Sequence, residues 1–380
     1  MARIPKIWFR KDRKCWQVTI RGVRHNLGPN KKDASHRFHQ LMGTAHHKPL
    51  ISMSFAAIAD AFLEWVKTNR AASTYEGNRF HIERFCQRYP DLQLAELRPY
   101  HCQQWVDAHP GLAQTTRRIY LKAIRRLVNW AIQQGYISND PLRGLQIPAS
   151  ARREVCITKD KFDQMLELID KDWFRRLCIV AFETGCRPQE LLRVEARHYD
   201  PANSRWVFPV SESKGKRHPR VVYLSPKAEA ITRQLADQYP EGRLFRNDAG
   251  KVLIQQTVAS AFYRLRITLG RITMKDQGIS RDDAARQELV RRGDKRSLDE
   301  MSSTQRRLLD RCAAAHFAPL YCLYSLRHSF ATIALQSGLD GLTVAILLGH
   351  RDPSMLAKVY QHLSHNPDHL LRQVRKAAED

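Results

Sequence analysis

The 380-residue sequence predicts a multidomain chain: a small basic α+β module at the N-terminus, an all-α domain, and a mainly helical α+β domain with a small sheet. Three observations lead there. Residues 14–28 alternate like strands, residues 54–135 keep a helical period, and two short β-branched runs near 206 and 220 sit among helical patterns. The apolar fraction of 43% is that of a folded chain. The formal net charge of +25, from 63 Lys and Arg against 38 Asp and Glu, therefore belongs to globular surface rather than to a disordered tail. Such a charge calls for an acidic partner: nucleic acid, an anionic membrane or an acidic protein.

The first module spans residues 1–50. Lys14 to Ile20 reads as a strand, Arg21-Gly22 turns it, Val23 to Gly28 returns, and a helix follows over about 32–41. Twelve Lys or Arg face only Asp12 and Asp33, so this segment carries +10 of the total. Trp8, Phe9 and Trp16 are interleaved with the charge, which favours DNA contact over a merely solvated face, with Lys11, Arg13 and Lys14 as candidate contacts.

The second domain spans 54–148. Ser54 is placed to cap a helix whose apolar positions Ile58, Phe62, Trp65 and Val66 recur at helical spacing. Over 114–134, Tyr120, Ile124, Leu127, Val128 and Ala131 form one face, and Arg118, Lys122, Arg125 and Arg126 another. That stretch holds no acid, so the cationic stripe is a candidate phosphate contact. Asn139-Asp140-Pro141 and Ile147-Pro148-Ala149-Ser150 mark a boundary near 150.

The third domain spans 152–380. Helices are expected over 161–168 and 173–182, strands over 206–210 and 220–224, and helices beyond. Residues 270–317 hold eleven Lys or Arg and eight Asp or Glu, with helical pattern over 280–292 and 298–315. A solvated helical insertion is expected there, with a DNA or protomer contact as the sharper alternative. The longest apolar run, Leu177 to Phe182, is far shorter than the ~20 residues of a bilayer span, and Met1 to Lys6 lacks an apolar signal core. The expectation is a soluble cytoplasmic chain with no membrane partner. The eight cysteines form no C-x-x-C pair, and His25, His36, His39, His46 and His47 lack ligand-spaced partners, so reduced thiols and no metal are expected.

Four segments of the third domain carry chemistry. In Thr184-Gly185-Cys186-Arg187-Pro188-Gln189-Glu190-Leu191, Gly185 ends one helix and Pro188 opens the next. Arg187 then lies at a helix N-terminus where the backbone also favours an anion, with Glu190 placed to hold its guanidinium. The 211–218 turn between the strands carries Lys214 and Lys216. Tyr324-Ser325-Leu326-Arg327-His328-Ser329-Phe330-Ala331-Thr332 again sets an Arg where a helical run begins. Leu347-Leu348-Gly349-His350 is followed by Asp352 and Pro353, which open a helix carrying Tyr360.

In this order, T-G-x-R-x-x-E-L, a hairpin Lys, L-R-H-S-F-A-T, L-L-G-H and a Tyr ten residues on resemble the tyrosine recombinase, or phage integrase, family. The resemblance covers residues 152 to the end and, more loosely, the whole layout. It implies an arm-type DNA-binding module, a helical core-binding (SAM-like) domain and a catalytic domain. It further implies that Arg187 and Arg327 hold the scissile phosphate, that Lys214 (with Lys216 as fallback) protonates the leaving 5′-hydroxyl, that His350 donates a hydrogen bond to the phosphate, and that Tyr360 is the nucleophile. The function implied is site-specific cleavage and rejoining of DNA strands through a 3′-phosphotyrosine, for integration, excision or transposition of a mobile element.

No cofactor is expected, because the covalent intermediate conserves the bond's free energy. The partners implied are double-stranded DNA, a second copy at each site, a tetramer in synapsis and accessory DNA-bending proteins, with a cytoplasmic, nucleoid-associated location. The tail over 366–378 has apolar positions that can dock on a neighbour or on its own domain. One departure is Tyr324, at a position where relatives often carry His. A phenol can hydrogen-bond phosphate but is a poor base near neutral pH, so the proton acceptor stays open. The competing reading is a catalytically inactive, sequence-specific DNA-binding regulator with the same fold.

Overall fold

A computed structural model describes residues 7–10, 12–20, 23–46, 53–149, 155–213 and 218–350, the side chains of 20 and 39–46 excepted. The chain divides into two compact units, Met1–Arg152 and Arg153–Asp380.

In the first unit, strands β1 (Trp8–Arg10), β2 (Cys15–Ile20) and β3 (Val23–Gly28) form an antiparallel sheet in sequence order, followed by helix α1 (Lys31–His46). Inward-facing Val18 and Leu27 pack against Ala34 of α1, with Trp16 and Phe38 at the margin. The sequence pattern accounts for β2 and β3. β1 pairs Phe9 with Trp16 over only three residues, too few for an alternation to register.

Helices α2 (Phe55–Asn69), α3 (Ala72–Arg88), α4 (Pro99–Asp107) and α5 (Gln114–Gln133) follow. The Ser54 hydroxyl accepts the Ala57 N–H at 3.2 Å, so the expected cap is made. Phe55, Ile58, Phe62, Phe85, Trp105, Ile124 and Leu127 are fully enclosed in the core. On α5 the residues expected inward, Tyr120, Ile124, Leu127, Val128 and Ala131, are all buried.

The second unit opens with α6 (Lys159–Glu167) and α7 (Asp172–Thr184) and the single turn α8 (Pro188–Leu191). A small antiparallel sheet follows: β4 (Tyr199–Asp200), β5 (Arg205–Phe208) and β6 (Arg220–Tyr223). Trp206 pairs with Val222 and Phe208 with Arg220, and all four face inward. Helices α9 (Pro226–Gln238), α10 (Gln255–Asp276), α11 (Arg281–Arg292), α12 (Ser303–His316), α13 (Leu323–Gln336) and α14 (Gly341–Leu348) complete it. The most enclosed stretch is on α7, where Leu177, Cys178 and Val180 have no exposure.

The charged 270–317 segment is helical as expected, and its helices pack on a core of their own rather than standing solvated. Ile267, Met274, Ala284 and Ala313–Ala315 form one cluster, and Ala285, Leu289, Leu298 and Leu309 another. Gly270 permits the contact, since a Cβ there would lie 1.8 Å from the Ala314 carbonyl oxygen of α12. Buried Glu288 pairs with Arg291 and Arg292 at 2.7 Å and with His316 at 3.2 Å. Glu288 thus takes up Arg291, Arg292 and His316, while Arg286, Arg296 and Arg306 pair with Asp283, Asp294 and Asp282. Among the described residues no helix is long and apolar enough to cross a membrane.

Candidate active site

Gly185 ends α7 in the left-handed region, with φ of 57°, and a Cβ there would meet the Phe330 ring at 2.4 Å and Leu348 at 3.0 Å. The end of α7 therefore touches α13 and α14, and the sequence-distant motifs converge at this point. Arg187 precedes Pro188 at the start of α8. Its Nη1 donates to Glu190 Oε1 at 2.8 Å and its Nη2 to the Gly349 carbonyl at 2.5 Å.

The helix end itself is not an anion seat. α8 is a single turn, and the Arg187 backbone N–H is already bound to Glu190 Oε2 at 2.8 Å. The expectation that the backbone would join the guanidinium in binding a phosphate is corrected accordingly. A four-residue helix sums few peptide dipoles, and the carboxylate occupies its N-terminal donor.

Arg327, on α13, is 6% exposed. Its Nη1 donates to the Gly185 carbonyl at 2.7 Å, and its Nη2 to the Leu348 carbonyl at 2.8 Å and to His350 Nε2 at 3.0 Å. Three of its five N–H donors hold protein, which leaves at most two for a ligand. Burial, and then repulsion from Arg187, lower its pKa to about 10, so it is still a cation at neutral pH.

His350 follows Gly349, which caps α14 with φ of 66°. Burial first, then the charges of Arg327, Arg187 and Arg220, bring its pKa down from 6.5 to about 4. A guanidinium can only donate, so Nε2 accepts and the single proton of the neutral ring sits on Nδ1. Nδ1 is buried and has no partner among the described residues, which leaves a donor for a ligand.

Long-range 1H–15N spectra of the free protein are expected to show His350 neutral, with its proton on Nδ1, from pH 8 down to about 4. Because the folded pKa lies below the unfolded one, the unfolded chain takes the proton first. This group's contribution to stability is full above about pH 6.5 and declines toward about pH 4. A ring that titrates near 6.5, or that carries its proton on Nε2, would contradict the geometry.

Glu190 lies between Arg187, at 2.8 Å, and Arg220, at 3.2 Å. Burial pushes its carboxyl up, but Arg220's charge and Arg187's N–H and guanidinium outweigh that and hold its pKa below the usual value. Arg220 was not singled out from the sequence. The available signal was its place in β6: it shares a face with Val222, so a cation stands where alternation calls for an apolar residue.

The limb leading into the 214–217 turn is anchored by a second set the sequence did not disclose. His198 Nδ1 accepts the Glu195 N–H at 3.0 Å, so Nε2 carries the proton and donates to Glu212 at 3.1 Å. Arg197 bridges Glu195 at 2.6 Å and Glu212 at 2.9 Å. Lys214, Lys216 and Tyr360 lie outside the described residues, as do Lys11 and the tail over 366–378. Tyr324 stands on the first turn of α13, 55% exposed, while Arg327 three residues on is buried. The structure thus brings Arg187, Glu190, Arg327 and His350 together and leaves Tyr324 facing solvent.

In the first unit the four stripe cations divide. Arg118 donates to the Pro148 carbonyl and Arg125 pairs with Asp140 at 2.8 Å, so both brace the segment after α5. Lys122 and Arg126 are exposed. They line a groove of about 610 Å³ with Arg70, Asn129, Trp65 and Trp130, and no carboxylate is among its described lining residues. Arg70 lies 5.1 Å above the Trp65 ring. Arg13 and Lys14 are exposed at the turn between β1 and β2, with Lys14 at a φ of 44°.

Residues 54–147 match the phage integrase SAM-like domain. The chain is 24% identical over 333 residues to "Tyrosine recombinase XerC" of Serratia marcescens, covering 82% of this chain and 92% of that protein. Among solved structures, a lambda integrase dimer bound to a COC' core site is similar at a TM-score of 0.57 and 12% identity, covering 93% of each chain. The Tn1549 transposon integrase in complex with transposon right end DNA is similar at 0.55 and 14% identity, covering 81% of this chain and 95% of that one.

Proposed function

The chain belongs to the tyrosine recombinase family of DNA strand transferases, and on that premise we propose that it recombines DNA at specific sites through a 3′-phosphotyrosine formed on Tyr360. The observation that carries the reading is the junction at which Arg187 and Arg327, from two distant segments, meet on the carbonyls at the end of α14 beside His350. Two cations and a neutral N–H donor suit one phosphodiester. They offset its charge as a phenolate approaches and bind the added charge of the transition state.

In the step proposed, Tyr360 Oη bonds to phosphorus, the bond from phosphorus to the 5′-oxygen breaks, and Lys214 supplies the proton to the departing 5′-hydroxyl. The phenol proton passes to a base that the described residues do not identify, and exposed Tyr324 is not assigned that part. Attack by the 5′-hydroxyl of a partner strand reverses the bonds and frees the tyrosine, so no nucleotide cofactor is consumed.

The substrate is double-stranded DNA, with two copies of the chain at each site, a tetramer in synapsis and accessory DNA-bending proteins as further partners. The enzyme is placed in the cytoplasm on the nucleoid. Integration, excision or transposition of a mobile element is the role we favour, in view of the likeness to the lambda and Tn1549 integrases. Residues 1–50 serve as an arm-binding module, 54–148 as the core-binding domain and 152–380 as the catalytic domain.

The test is a nicked suicide duplex bearing the chain's own attachment site. Wild type is expected to form a covalent adduct on Tyr360, and Tyr360→Phe to form none. Absence of an adduct from wild type, with binding intact, favours the inactive regulator, for which the exposed Tyr324 at the family's His position is the supporting observation.

The exposed pair in the groove gives a second expectation. Lys122→Ala with Arg126→Ala should weaken duplex binding and reduce the salt slope by nearly two, at roughly 0.9 for each phosphate left without its cation. Affinity measured from 50 to 200 mM salt checks it, and an unchanged slope removes these residues from the interface.

A further inference from the structure

We propose that Arg220 is a positioning residue for strand transfer, locking the Glu190–Arg187 pair, strand β6 and the turn before His350 into one cradle. The inference rests on the function proposed above. Arg220 is 8% exposed and points inward from β6 beside Val222. Its Nε donates to Glu190 Oε1 at 3.2 Å, its Nη2 to the Leu347 carbonyl at 2.9 Å, and its Nη1 to the Val221 carbonyl at 2.5 Å and more weakly to that of Ile346 at 3.5 Å.

The end of α14 is where these bonds acquire a function. A helix leaves its last carbonyls without intrahelical partners. Here Leu347 is bound by Arg220, Leu348 by Arg327 and Gly349 by Arg187. Three guanidiniums from three segments thus cap three successive carbonyls, and the next residue is His350. Gly349 makes the approach possible, because a Cβ there would lie 2.7 Å from Arg220 Cζ.

Arg220 differs from the other two. Four of its five N–H donors go to protein, and none is described on the ligand-facing Nδ1 of His350. It acts through Glu190, whose carboxylate it shares with Arg187, and through the backbone that orients His350. A lysine can keep the pair with Glu190 but cannot span the carboxylate and the Val221 and Leu347 carbonyls at once, because it lacks the planar fork.

The experiment compares Arg220→Gln, Arg220→Lys and Glu190→Gln, singly and with Arg220→Gln and Glu190→Gln combined. The readouts are melting temperature, duplex affinity and single-turnover adduct formation at saturating DNA. Arg220→Gln is expected to bind DNA as wild type does while its adduct rate falls on the order of 100-fold, the scale of a misplaced catalytic group. Arg220→Lys is expected between the two. The double variant is expected to react no slower than the worse single, because both changes break one linkage.

A folded Arg220→Gln protein that reacts at the wild-type rate overturns the inference, as does a double variant whose losses multiply. Should Arg220→Gln not fold, the Arg220→Lys rate decides, and a wild-type rate there overturns it. A wild-type protein that forms no adduct overturns the functional reading and this inference with it. A reactive wild type beside an equally reactive Arg220→Gln overturns this inference alone.

Discussion

Arg187→Ala is expected to slow adduct formation by roughly 10³- to 10⁵-fold, the scale on which an arginine stabilises phosphoryl transfer, while duplex affinity stays near the wild-type value. The two effects separate because they have different sources. Affinity for a duplex is the sum of many phosphate contacts spread along the chain's cationic surface, and one residue contributes little to it. Rate depends on the few donors fixed where charge develops in the transition state.

Arg187 is suited to the second role. Glu190 and the Gly349 carbonyl fix its guanidinium, yet its side chain keeps 22% exposure, unlike buried Arg327. Stability should change little, since Glu190 retains Arg220 as a partner when Arg187 is removed. Adduct yield on the suicide duplex and equilibrium binding to the same site, measured together, check the division. Parallel losses in both would place Arg187 in the binding surface instead.

The parts of this site that local pattern discloses are those whose partners lie within one or two turns. The Arg187–Glu190 pair is three residues apart, the Ser54 cap is three residues from its donor, and the buried face of α5 repeats every three or four residues. The inward register of β5 and β6 follows from alternation in the same way.

What stays hidden is set by distant contacts. Arg220 meets Leu347 across 127 positions and Arg187 meets Gly349 across 162, and no local spacing records either. The cationic stripe on α5 shows the same limit. Four basic residues look equivalent in sequence, but the segment that follows the helix claims Arg118 for a carbonyl and Arg125 for a carboxylate. Lys122 and Arg126 line the groove without a carboxylate partner among the described residues, whereas Arg125 lines it already paired. In the 270–317 segment, charge alone suggests a solvated helical insertion, whereas the alanines of α12 and Gly270 of α10 bring the helices into close contact. Small residues at such positions do not announce themselves by hydrophobicity.

Arg327 separates from Arg187 in a second measurement, and the contrast tests whether the centre is built as described. Arg327→Ala is expected to abolish adduct formation and also to lower the melting temperature, where Arg187→Ala leaves it nearly unchanged. Removing the side chain strips donors from the Gly185 carbonyl, the Leu348 carbonyl and His350 Nε2, all at a buried junction. A buried acceptor left without a donor costs about 1–3 kcal/mol, so three such vacancies amount to a large fraction of a domain's stability. Relief of repulsion among Arg187, Arg220 and Arg327 offsets part of this, since Arg187's charge already opposes that of Arg327.

Arg327→Lys distinguishes geometry from charge. It restores a cation, but one ammonium cannot serve three acceptors that lie in different directions. Lysine is therefore expected to recover little of either stability or rate. His350 supplies an independent check in the same variants: without the Arg327 donor and its charge, the ring loses its reason to hold the proton on Nδ1, and its pKa should rise from about 4. Thermal melts, adduct assays and imidazole titrations of the two variants settle the matter. Full activity in Arg327→Lys, or an unshifted His350 in Arg327→Ala, would show that the guanidinium does not organise this site.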